Sequence, residues 1–449
     1  MTRALAVWSN GVRVGTVFDQ ENIWTFEYAP GWLAREDSFD LSPALPRSAG
    51  RIIDGSSTRP VQWYFDNLLP EERMRGVLSK EANIPGDDAF GLLAYFGAES
   101  AGSLVLLDSD KSADAEYGLV PLPDHTLSAR IRNLPNVSLT HDAPKKMSLA
   151  GAQHKLPVVI QDGVLYEPLP GTPSTWILKP AHQSSDYPAS VMNEYFTMRV
   201  AKALGLDVPN VDIRYVPEPV YLIERFDRAP SADGGHDRLH VVDTCQLLNK
   251  SSGFKYHGAN VDALRAAIRI CLSPAKAKQH LFEWLMFNAL IGNGDNHLKN
   301  ISFMVDRFGF RPAPIYNLLC TAAYETRAFA NDNARWPNTE LAFSIGASRR
   351  FSDVTRDELI SAGVQLGLSK NTATRILDRF IAKLPNVVEQ VIEEVTATSQ
   401  AKIQECPDPV SAEQFMAVDQ RLLKVIQNIV IRDMLTHMES STAIRLNLM

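Results

Sequence analysis

The stretch that decides the fold is "IGNGDNHLKNISF", residues 291–303. It follows "KQHLFEWLMFNAL" (278–290), whose apolar spacing predicts a buried helix. The stretch then gathers Asn, Asp, His and Lys side chains before the apolar "ISF". A polar turn that ends a helix is one interpretation, because Asn and Asp are common turn residues. The other interpretation is that Asp295 and Asn300 project from a loop to take part in catalysis.

The spacing of Asp295 and Asn300 matches the needs of phosphoryl transfer. That reaction uses a carboxylate to orient the acceptor hydroxyl and an oxygen ligand for Mg²⁺ nearby, and the protein-kinase loop H-R-D-x-x-x-x-N has the same separation. The sequence "GDNHLKN" is closer to the G-D-x-H-x-x-N pattern of phosphoinositide-kinase-like enzymes. We therefore expect Asp295 to be catalytic and Asn300 to bind the metal, with His297 and Lys299 facing the phosphates of ATP.

A second candidate element is "SLAGAQHK", residues 148–155. Small residues followed by polar ones, ahead of a predicted strand, can leave backbone N–H groups to hold phosphate oxygens. The stretch is not a Walker A loop, and an ordinary loop is the alternative interpretation. In a kinase, the residues of this stretch that contact ATP would be Ala150, Gly151, Ala152, Gln153, His154 and Lys155.

Lys179 ends the apolar strand "WILKP", residues 176–180. Its ammonium group either extends to water or reaches the α- and β-phosphates of ATP. Glu194 lies on the amphipathic helix that follows, where a kinase keeps the glutamate that holds this lysine. For either residue taken alone, an ordinary surface charge is the favoured interpretation.

The strand "YLIERFDR", residues 221–228, ends where the sheet-rich half of the chain gives way to helices. One interpretation is a strand end with a surface ion pair. The other is a kinase hinge, in which the backbone of Glu224 and Arg225 bonds adenine and Phe226 packs on the ring. The phosphate loop, lysine, glutamate, hinge and Asp/Asn loop occur in the order that a kinase fold requires, which favours the kinase interpretation.

The composition fits an ordinary globular protein, with 449 residues, 45% of them hydrophobic and 22% charged. A net charge of -7 argues against a chain that binds nucleic acid by charge alone. The four cysteines form no CxxC pair, which predicts a reducing compartment and no zinc site. The N-terminal residues do not resemble a signal peptide, and no apolar run is long enough to cross a membrane. We expect a cytoplasmic protein without a membrane partner.

The order of predicted elements indicates an α+β fold with two lobes. The first part is β-rich and opens with a hairpin at Asn10-Gly11, and the C-terminal lobe is expected to be all-helical. Four regions are predicted: a β-rich subdomain with helices (1–107), a connector (108–147), a kinase N-lobe with phosphate loop and hinge (148–230), and a helical C-lobe with the catalytic loop (231–449).

Taken together, these residues resemble the HipA family, the toxin kinases of bacterial HipA/HipB toxin–antitoxin modules. "VWSNGVRVGTV", "FDNLLP" and "AGSLVL" resemble its N-terminal domain. "SLAGAQHK", "ERFDR", "GDNHLKN" and "PIYNLL" resemble its kinase core, so the resemblance covers nearly the whole chain.

The resemblance implies a serine/threonine protein kinase with a two-lobed, phosphoinositide-kinase-like fold that uses ATP and Mg²⁺. It implies that Tyr316 contacts ATP and that Ser148 is an autophosphorylation site which switches the enzyme off. The charge that phosphorylation adds would repel ATP phosphates from the same loop. The implied substrate is an aminoacyl-tRNA synthetase, and the implied partner is a HipB-like helix-turn-helix antitoxin that carries the complex to operator DNA.

One position departs from the family pattern. After Tyr316 the family normally has an aspartate as a metal ligand, and this chain has Asn317. Asparagine keeps an oxygen ligand but lacks the negative charge that holds a hard cation. Three explanations are open: an engineered inactive variant, a natural variant that binds metal differently, and a natural pseudokinase. An active toxin kinase and a catalytically weak nucleotide-binding corepressor or antagonist are therefore both compatible with the sequence.

Overall fold

The computed structural model describes residues 2–108, 116–147, 151, 153–232 and 234–446. The chain forms two compact units, each assembled from three stretches of sequence. Unit 1 consists of Met1–Lys179, Ile223–Lys255 and Ser302–Ala313, and unit 2 of Pro180–Leu222, Tyr256–Ile301 and Pro314–Met449. The four regions expected from the sequence stay a prediction, because compactness groups segments that are distant in the chain.

Unit 1 begins with an antiparallel sheet and four helices. The strands are β1 (Arg3–Ser9), β2 (Val12–Gln20), β3 (Ile23–Tyr28), β4 (Arg51–Ile53) and β5 (Leu104–Asp108), and the helices are α1 (Pro30–Leu33), α2 (Pro60–Asp66), α3 (Glu72–Ala82) and α4 (Ala89–Phe96). The sheet order is β4-β3-β2-β1-β5. The hairpin expected between β1 and β2 is present, and its turn residues Asn10 and Gly11 both have positive φ, 46° and 76°.

The core of this sheet is aromatic. The Trp24 ring meets Phe90 of α4 edge-on at 5.1 Å, and the Phe26 ring lies 5.7 Å from that of Phe65 on α2. Alternate strand residues face these helices, so the period-two pattern of the sequence becomes one buried face.

The middle of the chain is also rich in strands. Its elements, in chain order, are β6 (Leu119–Pro121), α5 (Asp124–Arg132), β7 (Leu156–Gln161), β8 (Val164–Pro168), β9 (Trp176–Pro180), α6 (Ser190–Ala203), β10 (Val211–Tyr215), β11 (Pro219–Glu224), β12 (Arg228–Pro230), β13 (His236–Arg238) and β14 (His240–Asp243). In unit 1 the strand order is β9-β7-β8-β6, with antiparallel pairs. The predicted phosphate loop leads into β7, and the predicted hinge follows β11.

Helices dominate the rest of the chain. The elements are α7 (Thr244–Leu247), α8 (Phe254–His257), α9 (Val261–Ile270), α10 (Pro274–Ile291), β15 (Ser302–Asp306), β16 (Gly309–Pro312), α11 (Arg327–Ala330), β17 (Glu340–Ile345), β18 (Ser348–Arg350), α12 (Arg356–Gln365), α13 (Lys370–Glu405), α14 (Pro409–Glu413), α15 (Met416–Val425) and α16 (Arg432–Leu446). In unit 2, α10 contacts α9, α12 and α16, whereas α6 contacts α13 and α15.

The mixed fold with a β-rich first part and a helical C-terminal end is confirmed. The expectation of an all-helical C-terminal lobe needs one correction, because strands β13 to β18 lie among the helices between residues 236 and 350. These strands have only three to six residues, and four of the five residues of β15 are buried, so that strand shows no alternation of apolar and polar residues. In the parts of the chain that the structure describes, no helix is both long and apolar enough to span a bilayer.

Candidate active site

The predicted catalytic loop starts where α10 stops, at Gly292. This residue has a left-handed backbone with φ of 74°, and its N–H donates to the carbonyl of Ala289 at 3.4 Å. A Cβ atom at Gly292 would lie 2.6 Å from Cγ1 of Val430 and 2.7 Å from Cβ of Ala322. Both the backbone and the packing therefore require glycine, and the chain leaves the buried helix at this point.

Hydrogen bonds fix the loop on both sides of Asp295. The Asp295 N–H donates to Oδ1 of Asn293 at 3.0 Å, and Nδ2 of Asn300 donates back to the carbonyl of Asp295 at 2.6 Å. The Gly294 N–H donates to Oγ1 of Thr321 at 2.6 Å. The loop conformation is therefore set by its own polar residues together with Thr321, which explains the cluster of Asn, Asp and Gly in the sequence.

The loop presents one accessible carboxylate among buried polar neighbours. Asn293, Asn296, His297 and Lys299 are each less than 9% exposed, whereas the Asp295 side chain is 41% exposed. A turn that only capped a helix would leave its polar side chains in water. This arrangement instead buries the supporting residues and directs Asp295 outward.

Tyr256 is a neighbour of Asp295 that the sequence motifs did not reveal. Its phenol donates to Oδ1 of Asp295 at 3.0 Å, and its ring meets the His297 ring edge-on at 4.9 Å. Nε2 of His297 lies 3.8 Å from the same carboxylate oxygen. Tyr256 therefore restrains the rotamer of the predicted catalytic group. It lies 39 positions before Asp295, so no local spacing pattern points to it.

The predicted metal ligands Asn300 and Asn317 lie in the same unit as Asp295. Nδ2 of Asn293 donates to the Asn317 carbonyl at 3.3 Å, and the Tyr316 phenol donates to the carbonyl of Lys299 at 3.0 Å. These contacts join the segment at Asn317 to the catalytic loop, so the two predicted ligands belong to one hydrogen-bonded region.

By atom type these residues fit Mg²⁺, since amide and carboxylate oxygens are its usual protein ligands. By charge they fit less well, because both side chains are neutral amides, whereas proteins usually hold Mg²⁺ through one or two carboxylates. Within the described residues, no group of three or more His, Cys, Asp or Glu side chains is arranged to hold a metal ion.

The predicted phosphate loop lies in unit 1, and half of it can be placed. A Cβ atom on Gly151, whose φ is 115°, would lie 2.6 Å from Nζ of Lys155, so the ammonium group covers this glycine. Gln153 and Lys155 line a small cavity, and His154 between them is half-buried. Ser148, Ala150 and Ala152 lie outside the described residues.

Lys179 and Glu194 are both buried, Lys179 in unit 1 and Glu194 in unit 2, at 7% and 6% exposure. Neither is a surface charge, which was the plain interpretation of each from the sequence. Burial of an ionisable side chain is costly unless it is paired or hydrogen-bonded, and neither of these two residues is without a partner.

At the predicted hinge, the N–H and the guanidinium group of Arg225 both make hydrogen bonds within the protein. Its N–H donates to the carbonyl of Thr175 at 2.8 Å, and its guanidinium group bonds Glu99 and Asp227. Its expected contact with ATP is therefore limited to the Arg225 carbonyl. The alternative of a surface ion pair is also wrong for Arg225, which is only 4% exposed.

The other two hinge residues are less enclosed. Glu224 is half-buried at the end of β11. Phe226 packs on an apolar cluster formed by Val241, Met304 and Ala313, all in unit 1. An aromatic ring beside such a cluster is a suitable support for a planar base.

Comparisons with known proteins identify the family of this chain. The HipA N-terminal domain family matches residues 5–107, and the HipA-like C-terminal domain family matches residues 147–388, just over half of the chain. A "Putative kinase Y4mE" of Sinorhizobium fredii is 33% identical over 406 residues, which cover 86% of this chain and 92% of that relative. The "Serine/threonine-protein kinase toxin HipA" of Shewanella oneidensis is 30% identical over 390 residues, covering 81% of this chain and 83% of the toxin.

A solved structure shows the same fold. The chain matches a structure of the Shewanella oneidensis MR-1 toxin–antitoxin system, HipA with HipB and its operator DNA, with a TM-score of 0.74 and 25% identity. The match covers 96% of this chain and 99% of that chain. The family expected from the sequence motifs is confirmed: this chain belongs to the HipA family.

Proposed function

We propose that this chain is the serine/threonine-protein kinase toxin of a toxin–antitoxin system, and that it transfers the γ-phosphate of ATP to a protein hydroxyl. The observation that carries the proposal is the catalytic loop. Its polar residues are buried and mutually bonded, and it leaves the Asp295 carboxylate accessible. Kinase relatives that align with most of the chain support the same reaction.

In the proposed mechanism Asp295 accepts a hydrogen bond from the substrate hydroxyl and directs its oxygen toward the γ-phosphate. The Tyr256 phenol holds Oδ1 in place while this happens. Orientation of this kind supplies much of the rate enhancement in phosphoryl transfer, because little covalent chemistry is left to the protein.

ATP and Mg²⁺, when bound, supply the phosphoryl group and the positive charge that neutralises it. Asn300 and Asn317 would hold the metal through their amide oxygens. Lys155, Lys179, His297 and Lys299 are the residues whose charge or N–H groups would face phosphate oxygens, together with the backbone of Gly151 and Gln153. Glu224 and Phe226 would contact the adenine.

Regulation and partners complete the proposal. Ser148 is the proposed autophosphorylation site, at the edge of the phosphate loop. The proposed partner is a helix-turn-helix antitoxin that brings the complex to operator DNA, supported by the HipA–HipB–operator complex of the structural neighbour. The proposed substrate is an aminoacyl-tRNA synthetase, whose modification in the cytoplasm would stop translation and growth.

A second candidate function is favoured by Asn317. With an amide in place of a carboxylate, the chain would bind nucleotide and transfer phosphate poorly, and act as a corepressor or antagonist in its operon. Incubation with radiolabelled ATP and Mg²⁺ or Mn²⁺ separates the two. Label that is incorporated at Ser148, and lost in Ser148→Ala, supports the kinase. ATP binding without transfer supports the second function and contradicts the first.

A further inference from the structure

A buried carboxylate lies outside the catalytic loop and takes no part in the chemistry described above. Glu99 follows α4 in unit 1, and its side chain is 0% exposed. It accepts hydrogen bonds from Nζ of Lys145 at 2.5 Å, Nη1 of Arg225 at 2.9 Å, Nη2 of Arg228 at 2.5 Å, Oγ of Ser174 at 3.0 Å and Nη2 of Arg238 at 3.4 Å. We call Glu99, Lys145, Arg225, Asp227, Arg228 and Arg238 the Glu99 cluster.

The Glu99 cluster holds four cationic and two anionic side chains, a formal excess of two positive charges. Burial alone would raise the pKa of the Glu99 carboxyl, but the surrounding cations outweigh it and hold that pKa well below the usual range. Burial lowers the pKa of Lys145 to about 8 despite Glu99, and Arg238 and Arg228 add to the decrease. Four cations share one fully buried carboxylate. The arrangement therefore stabilises the charged form of Glu99 more than it stabilises the charged form of Lys145.

The cluster joins the segment that precedes the predicted phosphate loop to the predicted hinge. Lys145 lies just before the phosphate loop and also donates to the carbonyl of Thr172 at 2.8 Å. Arg225 and Arg228 belong to the predicted hinge. Glu99 lies in the stretch that follows the N-terminal helices, so one carboxylate connects the N-terminal part of unit 1 to both ATP-binding segments.

Backbone contacts make the junction tight. Oδ2 of Asp227 accepts from the Gly102 N–H at 2.7 Å, and Nη1 of Arg228 donates to the Gly102 carbonyl at 3.0 Å. A Cβ atom on Gly102, with φ of 78°, would lie 2.9 Å from the backbone nitrogen of Val241. The chain after Glu99 is therefore held against the hinge by side-chain and backbone contacts.

Buried ion pairs are weak evidence for stability, because desolvation offsets much of the attraction and apolar replacements are often equally stable. Their better-attested use is to fix one geometry. We propose that Glu99 is a positioning residue for ATP: it holds the root of the phosphate loop, through Lys145, at a fixed place relative to the hinge, through Arg225 and Arg228. This inference rests on the proposed kinase function.

The test compares two buried glutamates in unit 1. Glu99→Gln removes the charge and keeps the shape. Glu167→Gln is the matched control, because Glu167 is 4% exposed and forms a bidentate pair with Arg130 at 2.6 and 3.0 Å, outside the Glu99 cluster. ATP affinity is measured by titration with a fluorescent ATP analogue, kcat and KM by radiolabel transfer, and folding by thermal unfolding.

We expect Glu99→Gln to weaken ATP affinity by at least about tenfold, because small displacements of binding groups have large effects. Glu167→Gln should leave the affinity for ATP within about twofold of the unaltered chain, even where its unfolding temperature falls as much as that of Glu99→Gln. Equal affinities in the two variants would overturn the inference. If Glu99→Gln does not fold, Lys145→Met serves instead, since it detaches only the phosphate loop. Unchanged affinity in Lys145→Met would also overturn it.

The outcome separates this inference from the proposed function. An unaltered chain that binds no ATP overturns both. An unaltered chain that binds ATP, together with a folded Glu99→Gln that binds it equally well, overturns only the role of Glu99. Asp295→Ala belongs in the same titration, because it should bind ATP normally and thereby show that affinity is being read independently of transfer.

Discussion

Asp295 and Glu99 are two acidic residues with opposite surroundings. Asp295 is 41% exposed, and one phenol, from Tyr256, donates to its carboxylate. Glu99 is fully buried and takes hydrogen bonds from a lysine, three arginines and a serine.

This difference separates two tasks of a carboxylate. A group that must meet a substrate has to stay accessible and lightly held, whereas a group that fixes the chain can be saturated with partners. Changes at Asp295 should therefore affect turnover and leave ATP binding intact. Changes in the Glu99 cluster should affect ATP binding first.

The sharpest test of the comparison is Asp295→Ala. We expect phosphotransfer to fall by at least about 10³-fold, because the substrate hydroxyl loses its orienting group. ATP affinity and unfolding temperature should change little, since the Asp295 side chain is half-exposed. Asp306→Ala is the control, an accessible carboxylate in unit 1 that pairs with Arg311. Full transfer by Asp295→Ala would remove Asp295 from the mechanism.

Asn317→Asp should have the next largest effect. An added carboxylate beside the loop should raise Mg²⁺ affinity and phosphotransfer by at least about tenfold, the equivalent of roughly 1.4 kcal/mol. The backbone should accept the change, because Asn317 has φ of 56° and aspartate also tolerates the left-handed region.

The measurement for Asn317→Asp is a Mg²⁺ titration of phosphotransfer, together with growth after expression, which should be slower. The control is Asn331→Asp, an exposed asparagine in the same unit with φ of 49°. Equal rates and equal Mg²⁺ dependence in the unaltered chain and Asn317→Asp would show that Asn317 is not a weakened metal ligand.

Tyr256→Phe tests how much the hydrogen bond from the Tyr256 phenol to Asp295 contributes to phosphotransfer. Loss of the phenol should lower kcat about fivefold, roughly 1 kcal/mol, because Asp295 then samples more rotamers. The KM for ATP should stay within about twofold, and this split distinguishes positioning from a general loss of structure. Tyr95→Phe, at an exposed tyrosine of α4, is the control. A variant that raises the KM for ATP and keeps kcat would contradict the assignment.

The smallest expected effect concerns pH. Burial lowers the pKa of Lys145 to about 8, so its ammonium group should lose most of its charge as the pH rises from 7 to 9. The charges that act on it are those of Glu99, Arg238 and Arg228. Neutral Lys145 holds Glu99 less firmly, so ATP affinity should fall about threefold over this range.

Lys145→Met carries no proton at this position and should show weak affinity with a flatter response to pH. The titration of ATP itself is common to both proteins and cancels in the comparison. Identical pH profiles for the unaltered chain and Lys145→Met would show that the protonation of Lys145 does not affect ATP affinity.

Much of the fold and part of the site could be predicted from local patterns. The hairpin at Asn10-Gly11 follows from turn chemistry, and the stop of α10 at Gly292 follows from the glycine after an apolar run. The predictions for Asp295 and Asn300 depended on the spacing of a loop closed by its own hydrogen bonds. Such features involve residues close together in the chain, and a sequence displays them directly.

The features that were not predicted depend on distant contacts. Glu99 meets Arg225 across 126 positions, and nothing in "GAES" sets it apart from an exposed glutamate. The run Arg-Phe-Asp-Arg at the end of a buried strand carried one usable signal. Two arginines around an aspartate at such a place indicate a buried charge cluster, but they do not identify Glu99 as its second anion.

The Glu99 cluster also has consequences for shortened chains and for domain swaps between relatives. A chain shortened to begin at residue 108 would keep Lys145, Arg225, Arg228 and Arg238 and lose the carboxylate that they share. Arg225 and Arg228 would then face Asp227 alone, and Lys145 and Arg238 would lose their anion in the cluster, a strongly unfavourable state for buried charges. Glu99 lies in the region matched by one of the two sequence families, and its cationic partners Arg225, Arg228 and Arg238 lie in the region matched by the other. A domain swap between relatives would therefore have to exchange Glu99 together with these arginines.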